Sequence, residues 1–419
     1  MNNVIIALLL LLLACYTSLV KATNNNLSLL EATEAGNLEQ VKALLKQGRD
    51  INATGIHKDD STPLILAAKH GYLDIVKELL VNGANIEAKD RDNRTALTHA
   101  VKNNHLDTVA YLLEYGASPD VKDDFNSYIL MSAIENKSTS IAKLLITKGV
   151  NTHITDEDGF TPLMIAIKNL EIDLVKPLID KGVNLEAKDS HGRTPLTIAV
   201  IQSWIDEIVD IVKLLLAHGA NIETTDQQGA TPLMFAVRKP VIPVIELLIS
   251  KGANLEAKNK ESFTPLMIAA KKNFPAVISL LLDKGADIEA NSTFGLRPLM
   301  IAALNNNLES VKLLIERGAN IDAQDNYGRT ALMAVIQYKR LAAAELLIEL
   351  GANLEAKNLD DQTSLIIAAK YNTPSIIKLL IKKGVKLDTK DNQGKTALDW
   401  ARDKGHHNII DLIAQNNKQ

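Results

Sequence analysis

The strongest constraint on this chain is a period. From Thr62 to Arg94 the sequence reads TPLILAAKHGYLDIVKELLVNGANIEAKDRDNR, and altered copies of it follow to the end of the molecule. The threonine slot that opens each copy falls at Thr62, Thr95, Tyr128, Thr161, Thr194, Thr231, Thr264, Arg297, Thr330, Thr363 and Thr396. Every step is 33 residues, apart from one of 37 between Thr194 and Thr231. A fixed period of this size marks stacked units, none of which can bury its apolar face alone. A length of 419 residues suggests about three domains, but a solenoid lengthens by adding layers to one array.

One copy shows why the chain folds locally as it does. Thr62 is suited to cap a helix through its hydroxyl, and Pro63 loses nothing at the first helical position, where the N–H has no partner. Leu64, Ala67 and Ala68 form a small-residue face that lets a neighbouring helix come close. Gly71 ends this first helix. Leu73 to Val81 predicts a second, with Ile75, Val76, Leu79 and Leu80 on one stripe at helical spacing. Gly83 supplies the left-handed residue after it. The turn-rich tip Asp90-Arg91-Asp92-Asn93 leads into the next copy. The hydrophobic fraction is 46% but aromatics are 4%, as thin layers of Leu, Ile, Val and Ala require.

The T-P-L opening, the alanine pair, the Val-Leu-Leu helix and the Gly-Ala-[Asn/Asp]-[Ile/Val/Leu] ending resemble the ankyrin repeat from about Leu27 onward. The resemblance implies an all-α repeat solenoid of ankyrin-type helix-turn-helix repeats with β-hairpin or loop tips, about twelve units in all. It also implies a concave surface that binds other proteins. On this reading residues 1–22 are a signal peptide, 23–60 a degenerate N-terminal capping repeat and loop, 61–395 ten repeats, and 396–419 a C-terminal capping repeat. Polar residues at both ends, such as Asp399, Arg402, Asp403, His406 and His407, suit terminal layers with one wet face.

Val4 to Ala14 is an unbroken apolar run. It is too short to span a bilayer and fits the hydrophobic region of an export signal. Val20 and Ala22 stand where a cleavage site wants small residues, so the mature chain is expected to begin at Thr23. The leading Met1-Asn2-Asn3 carries no Lys or Arg. Two other fates stay open. Leu12-Leu13-Ala14-Cys15 resembles a bacterial lipobox, which would make Cys15 the lipidated first residue. Val4 to Val20 could also remain as an uncleaved anchor. The expected location is outside the cell or in the periplasm, with lipid anchoring through Cys15 as the alternative.

Cys15 is the single cysteine, and the net charge is −4. The mature chain then has no internal disulfide, no thiolate nucleophile and no thiolate metal site, and nothing global suits nucleic acid. Phosphate-cradling glycine loops, HExxH, clustered Cys/His and G-x-S-x-G are missing. The expectation is therefore no catalytic residue, no metal site and no cofactor, in a monomer without a membrane span once mature.

What remains is where the copies disagree. Met131, Met164, Met234, Met267, Met300 and Met333 all sit three residues after the threonine slot, and a buried gap-filling ladder is the expected role. Histidine is frequent there in the resembling family. The copy at Thr194 carries four extra residues within Val200 to Asp210, about one helical turn. They bring in Trp204, a candidate contact residue. Phe160 and Phe263 share the slot before threonine; Phe125, Phe294 and Tyr327 share the slot two residues earlier. Each is a candidate for partner binding or for packing one tip on its neighbour. Just after the alanine pair come Arg238, Lys239, Lys271, Lys272 and Lys370 among other cations. This is a stripe suited to an acidic protein partner, unless it is a plain solvated face. The Asn-, Lys- and Ile-rich composition and the leader also resemble ankyrin proteins of host-associated bacteria, which often act on host proteins. The function expected is a non-catalytic exported scaffold. The alternative is a periplasmic or lipid-anchored scaffold that protects or inhibits a resident enzyme.

Overall fold

The computed structural model describes residues 28–54, 59–122, 128–202 and 207–416. The leader with Cys15, the tip residue Phe125 and the inserted Trp204 lie outside the described residues. Where the period predicts one uninterrupted array, the chain divides into two compact units, Met1–Ser190 and His191–Gln419. The division falls at the tip that precedes the long copy.

Among the described residues the first unit holds five helix pairs. They are α1 (Leu29–Glu34) with α2 (Leu38–Lys46), α3 (Pro63–His70) with α4 (Leu73–Val81), α5 (Ala96–Lys102) with α6 (Leu106–Glu114), α7 (Ile129–Glu135) with α8 (Thr139–Thr147), and α9 (Pro162–Lys168) with α10 (Ile172–Asp180). The second unit holds seven pairs: α11 (Pro195–Ile201) with α12 (Glu207–Ala217), α13 (Pro232–Arg238) with α14 (Ile242–Ser250), α15 (Pro265–Lys272) with α16 (Pro275–Asp283), α17 (Pro298–Leu304) with α18 (Leu308–Glu316), α19 (Ala331–Gln337) with α20 (Leu341–Glu349), α21 (Ser364–Lys370) with α22 (Pro374–Lys382), and α23 (Ala397–Asp403) with α24 (His407–Asn416). Within each unit an inner helix packs on its own outer helix and on the next inner helix. Within each unit the stacked pairs are the repeat solenoid that the period implies. At α12, the outer helix after the insertion, the pair gains two residues over the usual nine.

Of the two expected forms of tip, hairpin or loop, the described residues show the loop. Among them the tips are closed turns without strands, and one isolated antiparallel bridge joins Lys122 to Tyr128. No described helix is long and apolar enough to cross a membrane.

Local chemistry sets each inner helix. The Thr62 hydroxyl accepts the Ile65 N–H at 3.3 Å, and Thr161, Thr231, Thr264 and Thr330 do the same for the methionine three residues on. Tyr128 and Arg297, which replace the threonine, provide no side-chain cap. All six ladder methionines are buried, at most 1% exposed. A histidine is thus not needed at that slot, because the void is filled by an adaptable apolar chain.

Layers are joined by hydrogen bonds that cross from one copy to the next. Near the tips a carboxylate accepts the backbone N–H of the residue 31 positions on. Glu223 takes Asn254 at 2.8 Å, Glu256 takes Asp287 at 2.8 Å, Glu289 takes Asn320 at 2.7 Å and Glu355 takes Lys386 at 2.8 Å. At the other end of the inner helix, a side chain of the following layer donates to the terminal carbonyls of the preceding one. Asn307 reaches Ala270 at 2.8 Å, Arg340 reaches Leu304 at 3.0 Å, and His105 meets Lys69 O at 3.1 Å. Left-handed Asn273 completes the set, its Oδ1 accepting the Ser310 hydroxyl at 2.8 Å at the start of the next outer helix.

Two glycines separate the cost of backbone from the cost of contact. Gly71 and Gly83 both have positive φ, +73° and +89°, a region where a Cβ costs about 1–2 kcal/mol. A Cβ at Gly83 would meet nothing within 4 Å, whereas at Gly71 it would come within 2.5 Å of the His105 ring. Gly83→Ala is therefore expected to cost about 1 kcal/mol, and Gly71→Ala clearly more, in urea unfolding of the full chain. Equal losses would show that His105 moves aside freely.

Candidate functional site

The surface that differs between copies is built on the tips. The residue five before the threonine slot closes each turn: Asp90 N–H donates to Arg94 O at 3.0 Å, and Asp90 Oδ1 accepts the Arg94 N–H at 2.9 Å. Asp156 with Phe160, Asp325 with Arg329 and Asp391 with Lys395 repeat the arrangement. Asp90, Asp325 and Asp391 are buried, so each needs further donors for its second oxygen. His99 Nε2 serves Asp90 at 2.8 Å beside Arg94 Nε at 3.0 Å. Trp400 Nε1 serves Asp391 at 2.7 Å, and the Arg329 guanidinium serves Asp325 at 2.7 Å.

These environments shift the titrating groups. Burial alone would raise the Asp90 carboxyl, but the bonds from His99 and Arg94 outweigh it and hold Asp90 below the usual carboxylate range. Asp391 goes the same way, the Trp400, Lys395 and Gln362 donors outweighing burial. Burial pushes His99 down despite Asp90, and its Nε2 faces a carboxylate oxygen, which accepts. Burial opposes the Arg329 charge, yet Asp325 more than restores it and raises Arg329. These groups maintain the tips, and their polar atoms face each other.

Because the residue before the threonine slot is locked into its turn, its side chain lies against the inner-helix residue seven after the slot. Lys168 Nζ stands 4.6 Å over the Phe160 ring, and Lys271 Nζ 5.1 Å over Phe263. Arg329 donates to Gln337 at 2.9 Å, and Lys395 pairs with Asp403 at 2.8 Å. The tips and the stripe of cations, separate in sequence, are thus partly one surface.

This placement sorts the sequence candidates. Phe160 is buried and Phe263 half-buried, so neither stands out as a free tip aromatic: each ring fills the angle between turn and helix beneath a lysine. Phe294 and Tyr327 are exposed, at 60% and 54%. Arg238 lies 5.0 Å over its own neighbour Phe235. Lys370 lies 4.6 Å over the buried Trp400 of the next layer. Lys239, just past the end of α13, and Lys272, the last residue of α15, are exposed, and the two helices pack side by side.

In one layer both positions are leucine. In the copy at Arg297 the two positions are Leu296 and Leu304, and both line a cavity of about 430 Å³ with Phe294, Tyr327, Tyr338 and Arg340. Tyr338 and Arg340 were not candidates from sequence. Tyr338 holds the same slot as Lys239 and Lys272, so a search there for aromatics as well as cations would have found it. Arg340 carries no such signal, because its place at this cavity depends on the layers stacking. Among the described residues no three of His, Cys, Asp and Glu are grouped to hold a metal ion.

The matching family model agrees with the repeat. The family model described as ankyrin repeats (3 copies) matches residues 8–123, 130–226, 205–292, 288–358 and 353–419. The ankyrin repeat protein FPV223 of Fowlpox virus (strain NVSL) is 40% identical over 57 residues, which are 14% of this chain and 39% of that protein. The chain therefore spans well under half the length of that relative. The ankyrin repeat domain of Bcl-3, described as a unique member of the IkappaB protein family, is 31% identical. Its match covers 54% of this chain and all of that domain, with a TM-score of 0.48.

The buried His99–Asp90 pair makes stability depend on pH. With its folded value below the ordinary 6.5, His99 binds a proton more readily in the unfolded chain. Its contribution is whole above about pH 6.5 and falls as the pH drops below that. Asp90, also depressed from 3.8, adds a further loss on strong acidification. His99→Gln retains a donor for Asp90 but does not titrate. The difference between urea midpoints at pH 7 and pH 5 is expected to be smaller in this variant than in the parent; an equal or larger difference would place the histidine outside the pH response.

Proposed function

Because this chain belongs to the ankyrin repeat family, whose repeats form protein–protein interaction scaffolds, we propose that it binds a protein partner through its tips and inner-helix face after export from the cell that makes it. The observation that carries the binding mode is the division of labour between slots. Residues the copies share, such as the threonine cap, the alanine pair and the ladder methionines, are buried in the frame. Residues at which they differ, such as Phe294, Tyr327, Lys239 and Lys272, are exposed on neighbouring turns and helix ends. The scaffold is non-catalytic on this reading. The side chains His99, Asp90, Asp391 and Arg329 are absorbed in closing the tips.

Export is supported by the apolar run Val4 to Ala14 and the small residues Val20 and Ala22. Leu12-Leu13-Ala14-Cys15 favours a second reading, a lipid-anchored scaffold that protects or inhibits an enzyme of the producing cell's own envelope. N-terminal sequencing with mass spectrometry separates the two. A start at Thr23 is expected, a blocked Cys15 selects the anchored form, and an intact Met1 on the mature protein rejects both.

Affinity capture from a host lysate and from the producing cell's envelope tests the scaffold itself. Reversing the charge of Arg238, Lys239, Lys271 and Lys272 together is expected to leave the helical circular-dichroism signal intact. Binding of the captured partner should weaken by at least about tenfold, equivalent to about 1.4 kcal/mol. Unchanged binding would remove the cationic face from the reading.

A further inference from the structure

We propose that the cavity between Leu304 and Tyr338 receives an extended, acidic segment of a partner protein that carries apolar side chains at every third position. This rests on the protein-binding reading above and assigns it a place and a chemistry.

The first observation is exposed apolar surface gathered in one place. Phe294, Tyr327 and Tyr338 are 60%, 54% and 55% exposed, and Leu359, one tip further on, is 74% exposed. Such residues are ordinary when scattered, but a cluster marks an interaction site. Phe294, Tyr327 and Leu359 are held in a row by backbone bonds between successive tips: Asn326 N–H donates to Phe294 O at 3.2 Å, and Leu359 N–H donates to Tyr327 O at 3.2 Å. Their arrangement therefore exists before any partner arrives, which lowers the ordering cost of binding.

The second observation is charge. The cavity has about 430 Å³ of space, and its charged lining residues are both basic, Arg329 and Arg340. Arg329 is committed to Asp325 and Gln337. Arg340 is tethered by its Nε–H to Leu304 O at 3.0 Å and has no carboxylate partner among the described residues, so its charge is unanswered. A guanidinium held at one nitrogen is suited to take a carboxylate on the remainder of its fork. Leu296 and Leu304 stand where the neighbouring copies have Phe263 with Lys271 and Arg329 with Gln337, and no lysine is among the residues that line the apolar floor.

Spacing selects the conformation. Packed helices lie about 8–10 Å apart, and three residues of an extended polyproline-II segment cover about 9 Å. Apolar side chains at every third position thus match one anchor per layer. In a β-strand, residues on one face repeat every about 7 Å and fall out of step.

Fluorescence polarisation on the full chain tests this with three labelled peptides. The first has leucine or proline at every third position and glutamate between, the second replaces glutamate by lysine, and the third moves the apolar residues to every second position. The first is expected to bind, with affinity falling as salt is added, and the other two to bind at least about tenfold more weakly. Tyr327→Ala with Tyr338→Ala, exposed positions outside the core, and separately Arg340→Glu, should each weaken the first peptide by at least about tenfold. Arg340→Lys, which keeps the charge, should bind better than Arg340→Glu. Equal binding of all three peptides, or no effect of these variants in chains with native circular dichroism, overturns the proposal. A photo-crosslinker placed at 338 and, separately, at 272 keeps the two readings apart. If a partner is labelled from 272 and never from 338, the cavity assignment fails while the scaffold reading stands. Labelling of a second copy of this chain from 338 also overturns it.

Discussion

A helix of seven residues leaves more backbone groups unsatisfied at its ends than it satisfies within itself, and in water it does not persist alone. Among the described residues the inner helices run from six to eight residues, and beyond the threonine cap part of what they lack comes from the neighbouring layer. Asn307, Arg340 and His105 reach back to the carbonyls of the preceding helix, and Glu223, Glu256 and Glu289 hold the N–H groups of the next turn. A layer is therefore complete when it has neighbours, and it is this dependence that makes the repeated residues so uniform.

The buried carboxylates show how much variation the frame tolerates. Asp90, Asp325 and Asp391 hold the same place in three copies, but their second oxygen is answered by histidine, arginine or tryptophan. What is conserved between them is a donor at hydrogen-bond distance, because an unpaired buried carboxylate costs far more than any of these substitutions. The donors then differ in what they leave at the surface. Arg329 reaches out to Gln337, whereas Trp400 is packed between Lys370 and Lys395.

Most of the fold was legible in the sequence, since threonine caps, glycine ends and apolar stripes act within one or two turns. The helix Leu73–Val81, the left-handed Gly83 and the buried methionine ladder follow from that local chemistry. The candidate surface was legible only in part. Phe160 and Phe263 read as tip aromatics, but their burial under Lys168 and Lys271 depends on a contact between turn and helix that periodicity does not express. The cavity at Tyr338 and Arg340 was hidden for the same reason, as it is made by two successive layers. The division after Ser190 has no local signature beyond the long copy that follows it.

The residue before the threonine slot and the residue seven after it stand close together in sequence, so a 33-residue unit counted from the tip, rather than from the threonine, holds both. A duplication, deletion or exchange of such a unit therefore carries both halves of the pair together. Phe263 would travel with Lys271, and Lys395 with Asp403. The contacts that join layers use residue types present in many copies, so they re-form at the new seam. Unequal crossing-over between copies of the gene can thus rearrange the order of surface patches in a single heritable step, while each patch arrives already matched to itself.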